Sequence, residues 1–164
     1  HKDKKVDFVM ANPPFNLKGW RAEDELTDDY RWRGYTVPRV ANANYAWILH
    51  MISKLDVSHG VAGFLLANGA LNDPDDYENR KRLIENDRVE AIIVLPRDMF
   101  YTTDISVTLW IINMNKKWLK PYIAIGRTRI EVNTQMFLNI VNPLLSMIFK
   151  QRIILLLQAN ISNL

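Results

Sequence analysis

The hydrophobic pattern opens on a short, nearly continuous apolar run from Val6 to Ala11, broken only by Asp7. A run without alternation is what a strand buried on both faces of a parallel sheet shows. Three more runs follow: "GVAGFLLAN" (Gly60 to Asn68), "VEAIIVLP" (Val89 to Pro96, stopped by proline) and "DISVTLWIINMN" (Asp104 to Asn115). Between the first two, Tyr45, Ile48, Leu49, Ile52 and Leu55 recur at helical spacing. They predict an amphipathic helix with Asn44 as its N-cap. Between the second and third, Asp75 and Glu78 form an Asp-x-x-Glu capping box, predicting a helix over Asp76 to Asn86. Only the loop "RDMFYTT" separates the last two strands. It is too short for a crossover helix, so these strands are expected to pair as an antiparallel hairpin.

The order of elements predicts an α/β fold, with parallel strands and one antiparallel strand inserted at the end. Two stretches fit this scheme poorly. Residues 16–44 carry charge, Gly, Pro and aromatics without periodicity, the mark of a functional loop or of disorder. There Trp20, Trp32 and Tyr35 interleave with Arg21, Arg31 and Arg33, which would suit a DNA-facing lid. The acids Glu23, Asp24, Glu25, Asp28 and Asp29 offset those arginines, and a solvated loop is the preferred reading. Residues 118–164 are very apolar but interrupted by Pro143, Lys150 and Arg152 before a clean membrane span develops. A helix, an amphipathic surface segment, disorder and an artefactual C-terminus all remain open for this divergent tail.

Composition narrows the class. At 164 residues, 48% hydrophobic and 24% charged, the chain has the make-up of one globular domain. With no cysteine there is no disulfide framework, thiolate nucleophile or cysteine metal site, which suits the cytoplasm. The net charge of +3 is unevenly placed. Residues 1–115 hold 14 Lys/Arg against 17 Asp/Glu, and residues 116–164 hold 7 against 1. The excess belongs to the tail, so overall charge is no argument for nucleic-acid binding. No signal or transit peptide is visible. The chain starts without Met and runs at once into a strand, so a partial chain is expected. His50 and His59 have no neighbouring ligand pattern and read as structural, and no Ser-His-Asp arrangement is legible.

The segment "ANPPFN" (residues 11–16) carries the chemistry. Ligands of open α/β sheets bind beyond the carboxyl ends of the strands, where Asn12 to Phe15 would lie. Each proline fixes its own φ and restricts the residue before it, holding Asn12 and Pro13 extended. The Asn12 side chain and the Pro13 carbonyl then present two acceptors, matching the two hydrogens of an exocyclic amino group. Phe15 offers a ring to stack on the base bearing that group, an adenine or cytosine taken out of its helix. The absence of cysteine argues against methylation of a cytosine ring carbon, which needs a thiolate. A simple turn remains the alternative reading of four such residues.

Taken with "NANYAWILHMISKL", "GVAGFLLANGAL" and "LPRDMFYTTDISVTLWIINMNKK", this stretch resembles the modification subunit of type I restriction–modification systems, from about Val6 to Lys117. The resemblance implies an S-adenosylmethionine-dependent DNA adenine-N6 methyltransferase. Residues 1–117 would form the C-terminal part of its Rossmann-like methyltransferase domain. It implies that Asn12, Pro13, Pro14 and Phe15 form the adenine motif, with Asn12 also bordering the cofactor. Phe100 or Tyr101 would face the flipped base, with an ordinary loop aromatic covering the core as the alternative for Phe100. Independently of the resemblance, Asn68 follows the second strand at the same sheet edge and would help line the site, a simple turn being the preferred reading. Implied partners are double-stranded DNA, a specificity subunit and a restriction subunit, with no membrane. Where the family commonly reads Gly-Ile-Pro in the hairpin loop, this chain has Asp104, Ile105 and Ser106. The family's Gly-rich cofactor loop has no counterpart here, so the chain alone is expected to bind S-adenosylmethionine poorly. Two other readings stand beside this one: a piece of a protein glutamine-N5 methyltransferase, and a non-catalytic remnant that contacts DNA or partners.

Overall fold

The computed structural model describes residues 3–95 and 105–116. In chain order its elements are strand β1 (Phe8–Ala11), helix α1 (Asn44–Lys54), strand β2 (Val61–Ala67), helix α2 (Tyr77–Glu85), strand β3 (Val89–Val94) and strand β4 (Val107–Asn113). Short 3-10 turns occupy Tyr30–Trp32, Asn68–Leu71 and Pro74–Asp76. The four strands form one sheet in the order β1-β2-β4-β3. β1 pairs parallel with β2, from Phe8 opposite Val61 to Ala11 opposite Phe64. β4 runs antiparallel to both neighbours, so the expected hairpin forms and inserts its second strand between β2 and β3. The architecture is a mixed α/β sheet.

One face of the sheet carries both helices. Ala62, Phe64 and Leu66 of β2 join Trp110 and Ile112 of β4, Tyr45, Ile48 and Met51 of α1, and Leu83 of α2 in a buried cluster. Trp110 organises it. Its ring stacks on Phe64 at 6.3 Å and meets Tyr45 edge-on at 6.5 Å, and its Nε1 donates to Thr108 Oγ1 at 3.0 Å. The alternate residues Val61, Leu65, Val107, Leu109 and Ile111 are buried as well. That double burial is why β2 and β4 read as unbroken apolar runs.

β1 departs from the expectation. Among the described strands it lies at the edge, with Val9 and Ala11 packed toward the helices and Phe8 and Met10 68% and 49% exposed. An apolar run specifies side chains that favour cover on both faces, but it does not supply the covering element. The predicted caps also shift. Asn44 is the first residue of α1, not its cap, and its N–H donates to Asn42 Oδ1 at 2.9 Å. The Asp75–Glu78 box does not form. A proline-led turn precedes α2, Asp73 accepts from the Asp75 N–H, and Arg39 engages the carboxylates of Asp75 and Asp76.

Residues 16–43 are solvated in part: Glu23, Asp24, Glu25 and Asp28 are exposed, as a solvated loop requires, but the segment is anchored on buried Trp32. Trp32 is 3% exposed, lies edge-on to Trp20 at 6.1 Å, and packs with Ala43, Ala46 and Leu49. The indole N–H groups of Trp20 and Trp32 donate to the carbonyls of Arg39 and Leu26, each at 2.7 Å. Arg21 donates to the carbonyls of Ala22, Glu23, Glu25 and Pro38. Arg31 forks onto Asp29 with two 2.8 Å bonds. The charge offset expected from the acids therefore holds for Arg31 and Asp29, while Arg21 is held by backbone. Among the described residues, no helix is long and apolar enough to cross a membrane.

Candidate functional site

Parallel pairing of β1 with β2 brings their carboxyl ends to one edge of the sheet. Asn12 and Asn68 each follow directly on their strand, so both lie at that edge. The antiparallel β4 begins there, with Ser106 O accepting from the Asn68 N–H at 2.8 Å and Val107 O from the Leu95 N–H at 3.0 Å. The two described residues flanking the 96–104 connection, Leu95 and Ile105, therefore belong to the same edge. Phe100 and Tyr101 lie within that connection, outside the described residues, as does the tail from residue 117.

Within the motif, Pro13 is buried, Pro14 is exposed, and Asn12 and Phe15 are half-buried. The limb that leaves the motif is fixed by a contact the sequence did not announce. Asn16, in the left-handed region at φ 53°, donates its backbone N–H to Asn44 Oδ1 at 3.0 Å. Asn44 Nδ2 returns a bond to Asn16 Oδ1 at 2.9 Å, and Asn42 Nδ2 reaches the same oxygen at 3.3 Å. The next turn is tied too, since Ala43 N donates to Leu17 O at 2.9 Å. Asn44 is 2% exposed. Three asparagines spread over 28 residues carry no periodic signal, so only the fold reveals the pairing.

Asn68 opens the Asn68–Leu71 turn and is exposed. The turn is pinned from below by Tyr45, whose hydroxyl donates to Ala70 O at 2.9 Å. Burial pushes that hydroxyl well above its ordinary pKa, so it remains a proton donor. Beyond it, Arg39 bridges Asp73 at 2.5 Å, Asp75 at 2.5 Å and Asp76 at 2.9 Å. Burial raises the Asp76 carboxyl, against the opposing pull of Arg39. The two histidines part company. His50 sits 3.3 Å from Arg31 Nη1, and burial, then the charges of Arg31 and Lys54, hold its pKa below the usual value.

His59 belongs to a surface grouping that was not legible in the sequence: its Nε2 lies 2.8 Å from Asp7 Oδ1 and its Nδ1 2.7 Å from Ser58 Oγ. Ser58 Oγ also meets Asp56 Oδ1 at 2.5 Å. Ser58 Oγ thus lies between the Asp56 carboxylate and the His59 ring. The grouping lies at the amino end of β2, opposite Asn68, and is exposed.

Residues 1–138 match the family model described as N-6 DNA Methylase. The chain is 45% identical over 119 residues to the type I restriction enzyme HindI methylase subunit of Haemophilus influenzae, covering 71% of this chain and 26% of that protein. It is 44% identical over 119 residues to the MjaIX methylase subunit of Methanocaldococcus jannaschii, covering 70% and 21%. Among solved structures, a type I restriction-modification methyltransferase subunit from Streptococcus thermophilus superposes with a TM-score of 0.65 at 28% identity, over 71% of this chain and 25% of that one. The chain thus spans about a quarter of the length of the relatives it matches. A family match over residues 1–138, with relatives 45% and 44% identical over 119 residues, leads to one assignment: the chain belongs to the N-6 DNA methylase family.

Proposed function

We propose that this chain is the adenine-facing part of a type I modification subunit, the C-terminal half of a Rossmann-like methyltransferase sheet that methylates N6 of a flipped adenine. The observation that carries the reading is the position of Asn12 to Phe15 immediately beyond β1, at the carboxyl edge shared with Asn68. Asn12 Oδ1 and the Pro13 carbonyl accept the two amino hydrogens. The adenine nitrogen is a poor nucleophile because its lone pair is delocalised into the ring. Two acceptors on its hydrogens favour a more tetrahedral nitrogen and stabilise the positive charge that develops as the N–CH3 bond forms. The sulfur–methyl bond of the donor would break as the N–CH3 bond forms, leaving S-adenosylhomocysteine, and one amino proton would pass to solvent water. The residues act by orientation and fixed dipoles, with no covalent intermediate. Phe15 stacks on the base and holds it out of the helix.

S-adenosylmethionine supplies the methyl group as an electrophile when bound. The described residues do not form its site by themselves. The acids that follow β2, Asp73, Asp75 and Asp76, are engaged by Arg39, and the side chains directly beyond β1 and β2 are the amides of Asn12 and Asn68. Asn12 borders the cofactor, and the rest of its site belongs to other parts of the full-length subunit. Duplex DNA is the substrate, with the specificity and restriction subunits as partners in assembly. Methyl transfer to duplex DNA by the full-length subunit with its partners tests the reading, with a glutamine-containing peptide as the competing substrate. Asn12→Ala should abolish transfer while the protein remains folded. Normal turnover by that variant, or methylation of the peptide alone, would overturn the assignment.

A further inference from the structure

The structure assigns Asn44 as a positioning residue for the Asn12–Phe15 motif, acting through the reciprocal amide pair with Asn16. This rests on the proposed methyl-transfer reading and adds a residue that lies outside the motif. The chain enters the motif from the β1 ladder, which fixes Ala11 against Phe64. It leaves at Asn16. Between these points Pro13 and Pro14 contribute no N–H, so two of the four intervening residues cannot be tied by their own backbone donors. Each proline also fixes its own φ and restricts the residue before it, so a shift at either end is carried through the motif rather than absorbed within it. The first end is an ordinary parallel ladder.

The second end is an amide clamp. Asn44 Oδ1 accepts the Asn16 N–H at 3.0 Å and Asn44 Nδ2 donates to Asn16 Oδ1 at 2.9 Å, closing a two-bond ring. Asn44 is 2% exposed and stands in the first turn of α1, whose Tyr45 and Ile48 are rooted in the core. Its own N–H is held by Asn42 Oδ1. A buried group with both amide functions satisfied has one orientation available to it. The clamp also retains Asn16 in its left-handed conformation, φ 53°, where the chain turns away from Phe15. Asn44 thus transmits the rigidity of α1 to the backbone that aims Phe15 and the two acceptors. An error of about 1 Å in such aim lowers a rate by roughly 100-fold.

The test uses the full-length subunit with its partner subunits and a duplex carrying the target adenine. Asn44→Ala, which loses both bonds, should lower kcat about 100-fold, with the KM for DNA and the affinity for S-adenosylmethionine within about threefold of wild type. Asn44→Asp keeps the acceptor for the Asn16 N–H and should lower kcat by a smaller factor. It also serves if the alanine variant does not fold. Asn79→Ala is the matched control, because Asn79 is 1% exposed and holds the Thr36 N–H at 2.9 Å away from the motif. It should reduce melting temperature without moving kcat. A 2-aminopurine at the target position should show weaker extrahelical fluorescence with Asn44→Ala than with wild type. A folded Asn44 variant with wild-type kcat, or an Asn79 variant with the same kcat loss, would overturn the positioning role. Absence of methyl transfer by the wild-type complex would instead overturn the functional reading itself.

Discussion

Arg39 Nη2 lies 2.9 Å from Oδ2 of Asp76, a carboxylate 37 residues further along the chain and 3% exposed. The same guanidinium spans Asp73 and Asp75. One side chain therefore fastens the end of the 16–43 segment to the turn that starts α2. Removing it leaves a buried carboxylate without its cation beside two like charges. Arg39→Met should destabilise the protein by about 2 kcal/mol, below the range for a fully buried pair because Arg39 itself is 27% exposed. Arg39→Lys should recover only part of that, since a single ammonium cannot fork across three carboxylates. Urea unfolding of the full-length protein measures both. Equal stability of Arg39→Met and wild type would remove the clamp from the account.

The difference between what was legible and what was not follows from the range of the interactions. β2, β4 and the buried side of α1 were readable because each residue's burial repeats along its own element. The hairpin was readable because a seven-residue spacer excludes a crossover. The exposure of Phe8 and Met10 among the described residues is not legible in the sequence, because an apolar strand looks alike whether or not its second face is covered. The capping box failed because Arg39, far away in sequence, competes for Asp75 and Asp76. Asn12 and Phe15 stood out as a contiguous motif at a strand end, whereas the Asn16–Asn44 pair joins two unremarkable amides across the whole irregular segment. The anchoring of Trp20 and Trp32 is hidden for the same reason: their N–H partners are backbone carbonyls, which no side-chain pattern advertises.

The turn between α1 and β2 depends on a missing side chain. A Cβ on Gly60 would stand 2.6 Å from Asp56 O, 2.7 Å from Asp56 N and 2.8 Å from Leu55 Cβ. Two of these are backbone atoms, and the Gly60 N–H already donates to Asp56 O at 2.8 Å. Gly60→Ala must shift the start of β2 or the end of α1. It should cost about 1–3 kcal/mol. Gly69→Ala meets nothing within 4 Å and should stay within about 0.5 kcal/mol of wild type. Paired denaturation curves decide it, and indistinguishable midpoints for the two variants would contradict the close packing.

Phe15 is half-buried at the end of the motif, and its proposed work is stacking, which depends on a flat face more than on a particular ring. Phe15→Ala should lower kcat/KM for duplex DNA about 10- to 100-fold, in line with about 1–3 kcal/mol for a base stacked on an aromatic ring. Phe15→Tyr should stay near wild type. A substrate mispaired at the target adenine should narrow the gap, because less unstacking energy then has to be recovered. Steady-state methylation with matched and mispaired duplexes provides the comparison. A Phe15→Ala variant as active as wild type on both would show that the ring does not meet the base.

His50 gives the fold a pH dependence whose sign is fixed by its surroundings. Burial, reinforced by Arg31 and Lys54 and only partly countered by Asp29, lowers its pKa below the ordinary 6.5. Between the folded-state midpoint and 6.5 the unfolded chain binds more protons than the folded one, so stability rises with pH through that window. It is fully present above about pH 6.5 and declines as the pH falls toward the folded-state midpoint. Replacing the imidazole with an amide, His50→Gln, removes the titration while leaving a polar group for Arg31. The melting temperature of wild type should therefore fall more steeply between pH 7 and pH 5 than that of His50→Gln, with the curves parallel above pH 7. Parallel curves across the whole range would mean that His50 is as free to take up a proton in the folded chain as in the unfolded one.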